Sequence, residues 1–199
     1  MSDTPVDTGK RTWLIASGCA GAVGAGFTAV PFVSSFQPSE RAKAAGAPVE
    51  ADITALKPGE KMTVEWRGKP VWIVRRTPEQ VAELPKNDSL LADPQSQRKP
   101  DELTPQYARN EGRSIKPEFL VVVGICSHLG CSPSDKFQAG PQPSLPDNWQ
   151  GGFLCPCHGS TFDLAGRVFK NKPAPDNLEV PPHMFVSDTR LLIGEDKKG

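Results

Sequence analysis

Six of the chain's eight cysteines and histidines fall in two short segments, Cys126-Ser127-His128-Leu129-Gly130-Cys131 and Cys155-Pro156-Cys157-His158-Gly159-Ser160. Each segment offers one Cys and one His to a common metal centre, with a second Cys alongside. The C-x-H pair Cys126/His128 and the C-x-x-H pair Cys155/His158 would place a sulfur and a nitrogen on each of two loops. Two thiolates on one iron and two neutral imidazoles on the other form the 2Fe-2S ligand set that raises the reduction potential. The expected cofactor is therefore one 2Fe-2S cluster held by Cys126, His128, Cys155 and His158. Gly130 and Gly159 supply the φ freedom of tight loops and let backbone amides approach the cluster. Structural zinc prefers C-x2-4-C with H-x3-5-H spacing, which is absent here. Thiol-disulfide exchange prefers C-x-x-C, whereas Cys155-Pro156-Cys157 is C-x-C.

Cys131 and Cys157 remain, each beside an assigned ligand. A disulfide between them would staple the two loops together and contribute on the order of 3 kcal/mol in the chain-entropy picture. Of the other candidates, Cys19 lies in an apolar run and reads as a buried neutral thiol. His183, after Pro181-Pro182, has no thiol near it and reads as an ordinary strand or loop residue.

These loops need a scaffold and, the composition suggests, a membrane anchor. The 199 residues carry 23 acidic and 23 basic side chains, a neutral balance that disfavours nucleic acid as a partner. No charge occurs from Thr12 to Gln37, long enough for one transmembrane helix over residues 12–36 after a cytoplasmic tail of residues 1–11. A cleaved signal peptide, with Ala45-Gly46-Ala47 as the small-x-small site, is the alternative, but its apolar core would run only roughly 7 to 15 residues. Gly18, Ala22 and Gly26 recur every four residues as a smooth stripe. Lys10-Arg11-Thr12-Trp13-Leu14 looks like a relaxed twin-arginine export signal, suited to a folded, cluster-loaded head. Charges flanking the helix orient it weakly, but a disulfide implies an oxidising space, placing the head in the periplasm.

Residues 37–50 lack an apolar period and read as a flexible linker reaching at most roughly 50 Å. Residues 51–199 read as β-rich. Strands are expected at Met62–Trp66, Val71–Arg75, Phe119–Ile125, Gly152–Leu154, Leu178–Val180, Met184–Ser187 and Leu191–Ile193. A short helix begins at Pro78, and the polar remainder of residues 78–110 reads as a surface excursion.

The pairs CSHLGC and CPCHGS, with Lys172-Pro173-Ala174-Pro175 and Asn177-Leu178-Glu179-Val180-Pro181 downstream, closely resemble the Rieske iron-sulfur subunits of bacterial quinol:cytochrome c reductases. The resemblance spans anchor, linker and head. It implies an all-β antiparallel sandwich head with a small cluster-binding subdomain, about residues 125–176, after a single N-terminal transmembrane helix. It implies a tip where His128, Leu129, Gly130 and His158 meet the quinol pocket of cytochrome b, and a Pro-rich loop over the cluster. One electron from ubiquinol or a related quinol would enter the cluster and pass to cytochrome c1 as the head swings on its linker. His158 would bind the quinol hydroxyl and take its proton, with His128 as the second imidazole of the reacting tip. The complex would be dimeric, set in lipid of the bacterial inner membrane.

Departures from the family pattern are Ser127 for Thr, Lys172 for Gly, an insert around residues 140–149, and Phe162 in place of a Tyr that donates to a ligand sulfur. Ser160 is retained as a donor to the cluster. Phe162 implies a potential below that of Tyr-containing relatives. A soluble ferredoxin feeding an oxygenase would lack the anchor and the extra Cys pair. Against an anchored small subunit of a periplasmic oxidase, the Pro loop, Leu129 and the long linker favour the quinol role, and metal analysis would separate a zinc-stabilised module.

Overall fold

The computed structural model describes residues 7–99 and 102–196. The chain divides into two compact units, one ending at Ala44 and the other beginning at Ala45. The first holds helix α1, Thr8–Ser34, which is long and apolar enough to cross a membrane. Its 27 residues rise about 40 Å, against roughly 30 Å of bilayer hydrocarbon. The helix starts four residues before the uncharged run because Asp7 caps it, its carboxylate accepting from Gly9 N and Lys10 N. A short helix α2, Glu40–Ala45, follows inside the stretch read as linker. Glu, Arg, Ala and Lys favour helix without any apolar period, and Lys43 pairs with Glu40 at 2.7 Å.

Beyond this come, among the described residues, nine strands: β1 (Val49–Asp52), β2 (Lys61–Trp66), β3 (Lys69–Arg75), β4 (Phe119–Val123), β5 (Ser134–Lys136), β6 (Gly152–Leu154), β7 (Thr161–Asp163), β8 (His183–Phe185) and β9 (Arg190–Ile193). They form three antiparallel sheets ordered β1-β9-β8, β2-β3-β4 and β5-β6-β7. Strands β3 and β4 of the central sheet are buried on both faces, so β4 reads FLVVV without polar alternation. Period-two geometry still sorts its side chains. Val71, Ile73, Val121 and Val123 pack toward β1 and β9, while Trp72, Val74, Leu120 and Val122 pack toward β6 and β7. The second of these cores also contains Cys126, Cys155 and Phe162, so the candidate ligands grow directly out of packed apolar structure.

Several sequence expectations are corrected. Leu178–Val180 is buried but forms no strand, because its amides bond to separated segments, Leu178 N to Gly166 O and Val180 N to Leu103 O. Strands β1, β5 and β7 were not expected; β5 is Ser-Asp-Lys and is held only by pairing with β6. Residues 78–110 are no mere surface excursion. Helix α3 (Pro78–Glu83), with a Thr77/Gln80 capping box, leads into 3-10 turns, and Leu84, Asn87, Leu91, Asp93, Ser96, Thr104 and Ala108 are buried. The Asp93 carboxylate and the Ser96 and Thr104 hydroxyls accept internal hydrogen bonds, a pattern that composition does not report.

Three buried arginines clamp the turn that leaves β7. Arg76 donates to Leu164 O at 3.0 Å, Arg113 to Ala165 O at 3.1 Å, and Arg167 pairs with the buried Asp163 at 2.8 Å. Burial pulls Arg76 and Arg113 down to about 10, and both remain protonated at neutral pH. His183 lies buried in β8, its Nδ1 2.8 Å from Pro181 O, in line with an ordinary structural role. The insert before β6 docks through Trp149, whose Nε1 donates to Lys136 O at 2.8 Å.

Candidate metal centre

Two loops carry the candidate residues. Loop 1 (residues 126–131) connects β4 to β5, and loop 2 (residues 155–160) connects β6 to β7. Gly124 leads into the first, and the Trp72 indole occupies the space where a Cβ at that position would stand. β6 and β7 pair Leu154 with Thr161, which fixes the width of the second.

The two loops fold as the same turn. In loop 1, Cys126 N donates to Cys131 O at 2.8 Å and Gly130 N to Cys126 O at 3.1 Å. In loop 2, Cys155 N donates to Ser160 O at 2.7 Å and Gly159 N to Cys155 O at 3.0 Å. Both turns close through a left-handed glycine, Gly130 at φ +82° and Gly159 at φ +74°. Cys126 and Cys155 thus hold equivalent first positions, and both are buried, 2% exposed.

The later positions differ. The third residue is His128 in loop 1 and Cys157 in loop 2; the fourth is Leu129 and His158; the sixth is Cys131 and Ser160. The loops face one another so that the His128 and His158 rings meet edge to face, centroids 4.7 Å apart. Cys131 and Cys157 form a disulfide across the loops, with Cα atoms 6.7 Å apart. Cys155 Sγ lies within 4.8 Å of both disulfide sulfurs. Since those two are consumed in their own bond, this sulfur trio is not itself a ligand set.

Depth separates the donor types. Both thiols lie at the floor, while His158 is exposed and His128 half-exposed. Cys126 Sγ is within hydrogen-bonding reach of Cys155 and of the Ser160 hydroxyl. Burial pushes the Cys126 thiol up from its ordinary range, and the neighbouring Cys155 adds to this; Ser160 and the His128 backbone oppose it. Paired inner sulfurs and paired outer nitrogens fit an iron-sulfur pair with mixed ligation, so Cys126, Cys155, His128 and His158 could hold a 2Fe-2S cluster. Leu129 stands 70% exposed at the tip beside the imidazoles, a position for contact with another molecule.

A third segment, the strap of residues 172–176, closes the site. Ser160 Oγ accepts from Ala174 N at 3.0 Å, and Ser127 Oγ donates to Asp176 O at 2.6 Å. Each cluster loop is thereby tied to the strap by a serine hydroxyl. The sequence reading had linked Ser160 only to the cluster and missed both ties. The x-Pro-x-Pro pattern was the signal for them, since it leaves Ala174 N free to donate between two prolines.

The family profile described as "Rieske [2Fe-2S] domain" matches residues 48–182, and one described as "Ubiquitinol-cytochrome C reductase Fe-S subunit TAT signal" matches residues 11–39. The chain is 57% identical over 188 residues to the ubiquinol-cytochrome c reductase iron-sulfur subunit of Allochromatium vinosum, covering 94% of this chain and 89% of that one. It is 42% identical to the subunit of the same name from Bradyrhizobium diazoefficiens, covering 93% and 94%. A solved structure described as hyperthermophilic respiratory Complex III matches at 26% identity and a TM-score of 0.46, over 89% of this chain and 97% of that chain.

Proposed function

We propose, because the chain belongs to the Rieske [2Fe-2S] domain family and within it to the iron-sulfur subunits of ubiquinol-cytochrome c reductase, that it carries one electron at a time from quinol to cytochrome c1. The reading rests chiefly on one observation: matched turns bring two buried thiols together beneath two paired, solvent-reaching imidazoles. Cys126 and Cys155 would hold one iron and His128 and His158 the other. When bound, a cluster so ligated supplies one-electron redox chemistry at a potential raised by its imidazole ligands.

The protein's own residues prepare the encounter. His158 offers the ring nitrogen not given to iron to the quinol hydroxyl, binding it and receiving its proton as the electron leaves. His128, half-exposed, completes the imidazole face. Leu129 and Gly130 shape the tip that enters the quinol pocket of cytochrome b. Ser160, fully buried, directs a hydroxyl proton toward the sulfurs and favours the electron-rich state. The disulfide holds the two loops in register.

Helix α1 anchors the subunit in the bacterial inner membrane, and the twin-arginine match together with the disulfide supports a periplasmic head. Cytochrome b, cytochrome c1, quinol and membrane lipid are the partners this reading requires, within a dimeric complex. Low-temperature EPR of the purified protein tests it. A Rieske-type signal already developed with ascorbate is expected. A signal requiring dithionite would reassign the chain to low-potential electron transfer, and bound zinc without iron would end the electron-transfer reading.

A further inference from the structure

We propose that Asp93–Lys99 is a positioning brace that sets the reduction potential of the centre, acting through the strap on the Ser160 hydroxyl. The proposal rests on the cluster reading given above. The segment touches none of the four candidate ligands in any described hydrogen bond or ion pair; it bonds to the strap and the residue after it, and is held from behind by Arg167, which donates to Pro94 O at 3.4 Å, and by Glu102 N and Leu103 N, which donate to Lys99 O.

The strap cannot hold itself. Pro173 and Pro175 have no N–H, and the two amides beside them are both spent on the site, Ala174 N on Ser160 Oγ at 3.0 Å and Asp176 N on Ser127 Oγ at 3.3 Å. What remains is its carbonyls and a carboxylate, and the brace takes these. Arg98 donates to Pro175 O at 2.7 Å and Lys99 Nζ to Asp176 Oδ2 at 2.6 Å. Just beyond the strap, Asn177 Nδ2 donates to Asp93 O at 3.0 Å and Ser96 Oγ at 3.3 Å.

The brace's own backbone is shaped for this task. Asp93 accepts from Gln97 N and Arg98 N through its two carboxylate oxygens, closing the segment into a compact turn. Within it Ser96 and Lys99 adopt φ +52° and +46°, left-handed values that L residues with a Cβ avoid. Both strained residues are among those that reach the strap or its neighbour Asn177, the pattern expected when contacts over-determine a conformation. The hydrogen bond and charge of Asp176 raise the Lys99 ammonium above its usual range.

The consequence at the centre follows from the chemistry of a hydroxyl. Ser160 has one proton and two acceptor lone pairs. With Ala174 N–H engaging a lone pair, the proton is turned the other way, toward Cys126 Sγ. Hydrogen bonds to the sulfurs favour the reduced, more negative state and raise the potential. A strap that drifts frees Ser160 to rotate, and the potential falls.

The test is a redox titration, followed by EPR, of the full chain carrying Arg98→Gln and Lys99→Gln, both exposed side chains whose exchange leaves the core intact. At the midpoint potential of the unaltered protein, the reduced-to-oxidised ratio is expected to fall roughly threefold, or about 30 mV at 59 mV per tenfold change. In a Ser160→Ala background the same pair of substitutions should shift the ratio little, because the group they act through is gone. An unchanged midpoint would overturn the brace. So would an equal shift in both backgrounds, which would mark a simple loss of two positive charges. Absence of any 2Fe-2S signal from the unaltered chain would overturn the underlying cluster reading, an outcome distinct from either.

Discussion

Loops 1 and 2 share a backbone and differ in side chains. Each begins with a buried Cys whose N–H and C=O close the turn, and each closes through a left-handed glycine. Yet the imidazole stands third in loop 1 and fourth in loop 2, and the sixth residue is a disulfide sulfur in one and a fully buried hydroxyl in the other. One turn repeated twice supplies a symmetric floor for two sulfurs. The offset histidines make the mouth asymmetric, leaving His158 exposed and His128 half-covered. A near-symmetric frame thus presents a face on which one imidazole is the more available to a partner.

The largest effect should come from removing any one of the four proposed ligands. Cys126→Ser, Cys155→Ser, His128→Ala and His158→Ala are each expected to abolish the Rieske EPR signal and most bound iron, measured by metal analysis. Retention of a full signal in any one would remove that residue from the set. Next in size is the link between the loops. Replacing Cys131 and Cys157 together by Ser opens a closure of 26 residues and should cost on the order of 3 kcal/mol, read from denaturant unfolding. The cluster should also become labile and its potential should change. An unchanged potential in the Cys131→Ser single variant would show that the loops hold their register without the bond.

How much of this was legible beforehand differs between the loops and their support. The Cys and His residues were legible because metal chemistry restricts both type and spacing. Strands β2, β3, β4, β6, β8 and β9 were legible because their apolar residues are bounded by turns. β5 was not, since Ser134, Asp135 and Lys136 carry no apolar signal and owe their strand to β6. Nor was the role of residues 84–99, where Asp93 O and Ser96 Oγ accept hydrogen bonds from Asn177, distant in sequence. Hydrogen bonds spanning about eighty residues leave no local pattern. Leu178–Val180 erred the other way: its apolar residues are buried, but its backbone bonds go to three separate places, Gly166 O, Leu103 O and Val123 N of β4, and build no ladder.

The equivalence of the turns can be tested directly at their glycines. A Cβ at Gly130 or Gly159 would meet no atom within 4 Å, so substitution is opposed by backbone conformation alone. Gly130→Ala and Gly159→Ala should each cost about 1–2 kcal/mol of stability, the penalty of an L residue in the left-handed region. Thermal or denaturant unfolding should give nearly equal values for the two. A large inequality would show that the turns, though alike in hydrogen bonding, are held by different constraints.

The smallest expected effect sharpens the asymmetry of the loops' exits. Two residues past the sixth position, loop 1 has Pro133 and loop 2 has Phe162, which is fully buried in the same core as Cys126 and Cys155. Only the second exit places an aromatic ring against the sulfur-bearing floor. Phe162→Tyr adds a hydroxyl there and, donated to a ligand sulfur, would contribute roughly 1–1.5 kcal/mol to the reduced state. For a one-electron couple this is a rise on the order of 50 mV, measurable by EPR-monitored titration. The substitution must also fit a packed interior, so unfolding is measured alongside. A higher potential with stability nearly unchanged would place the ring edge at the sulfurs and make Phe162 the residue that lowers this protein's potential. A folded variant with an unmoved potential would point the ring elsewhere, leaving hydrogen-bond tuning of the second loop to Ser160 and the strap that orients it.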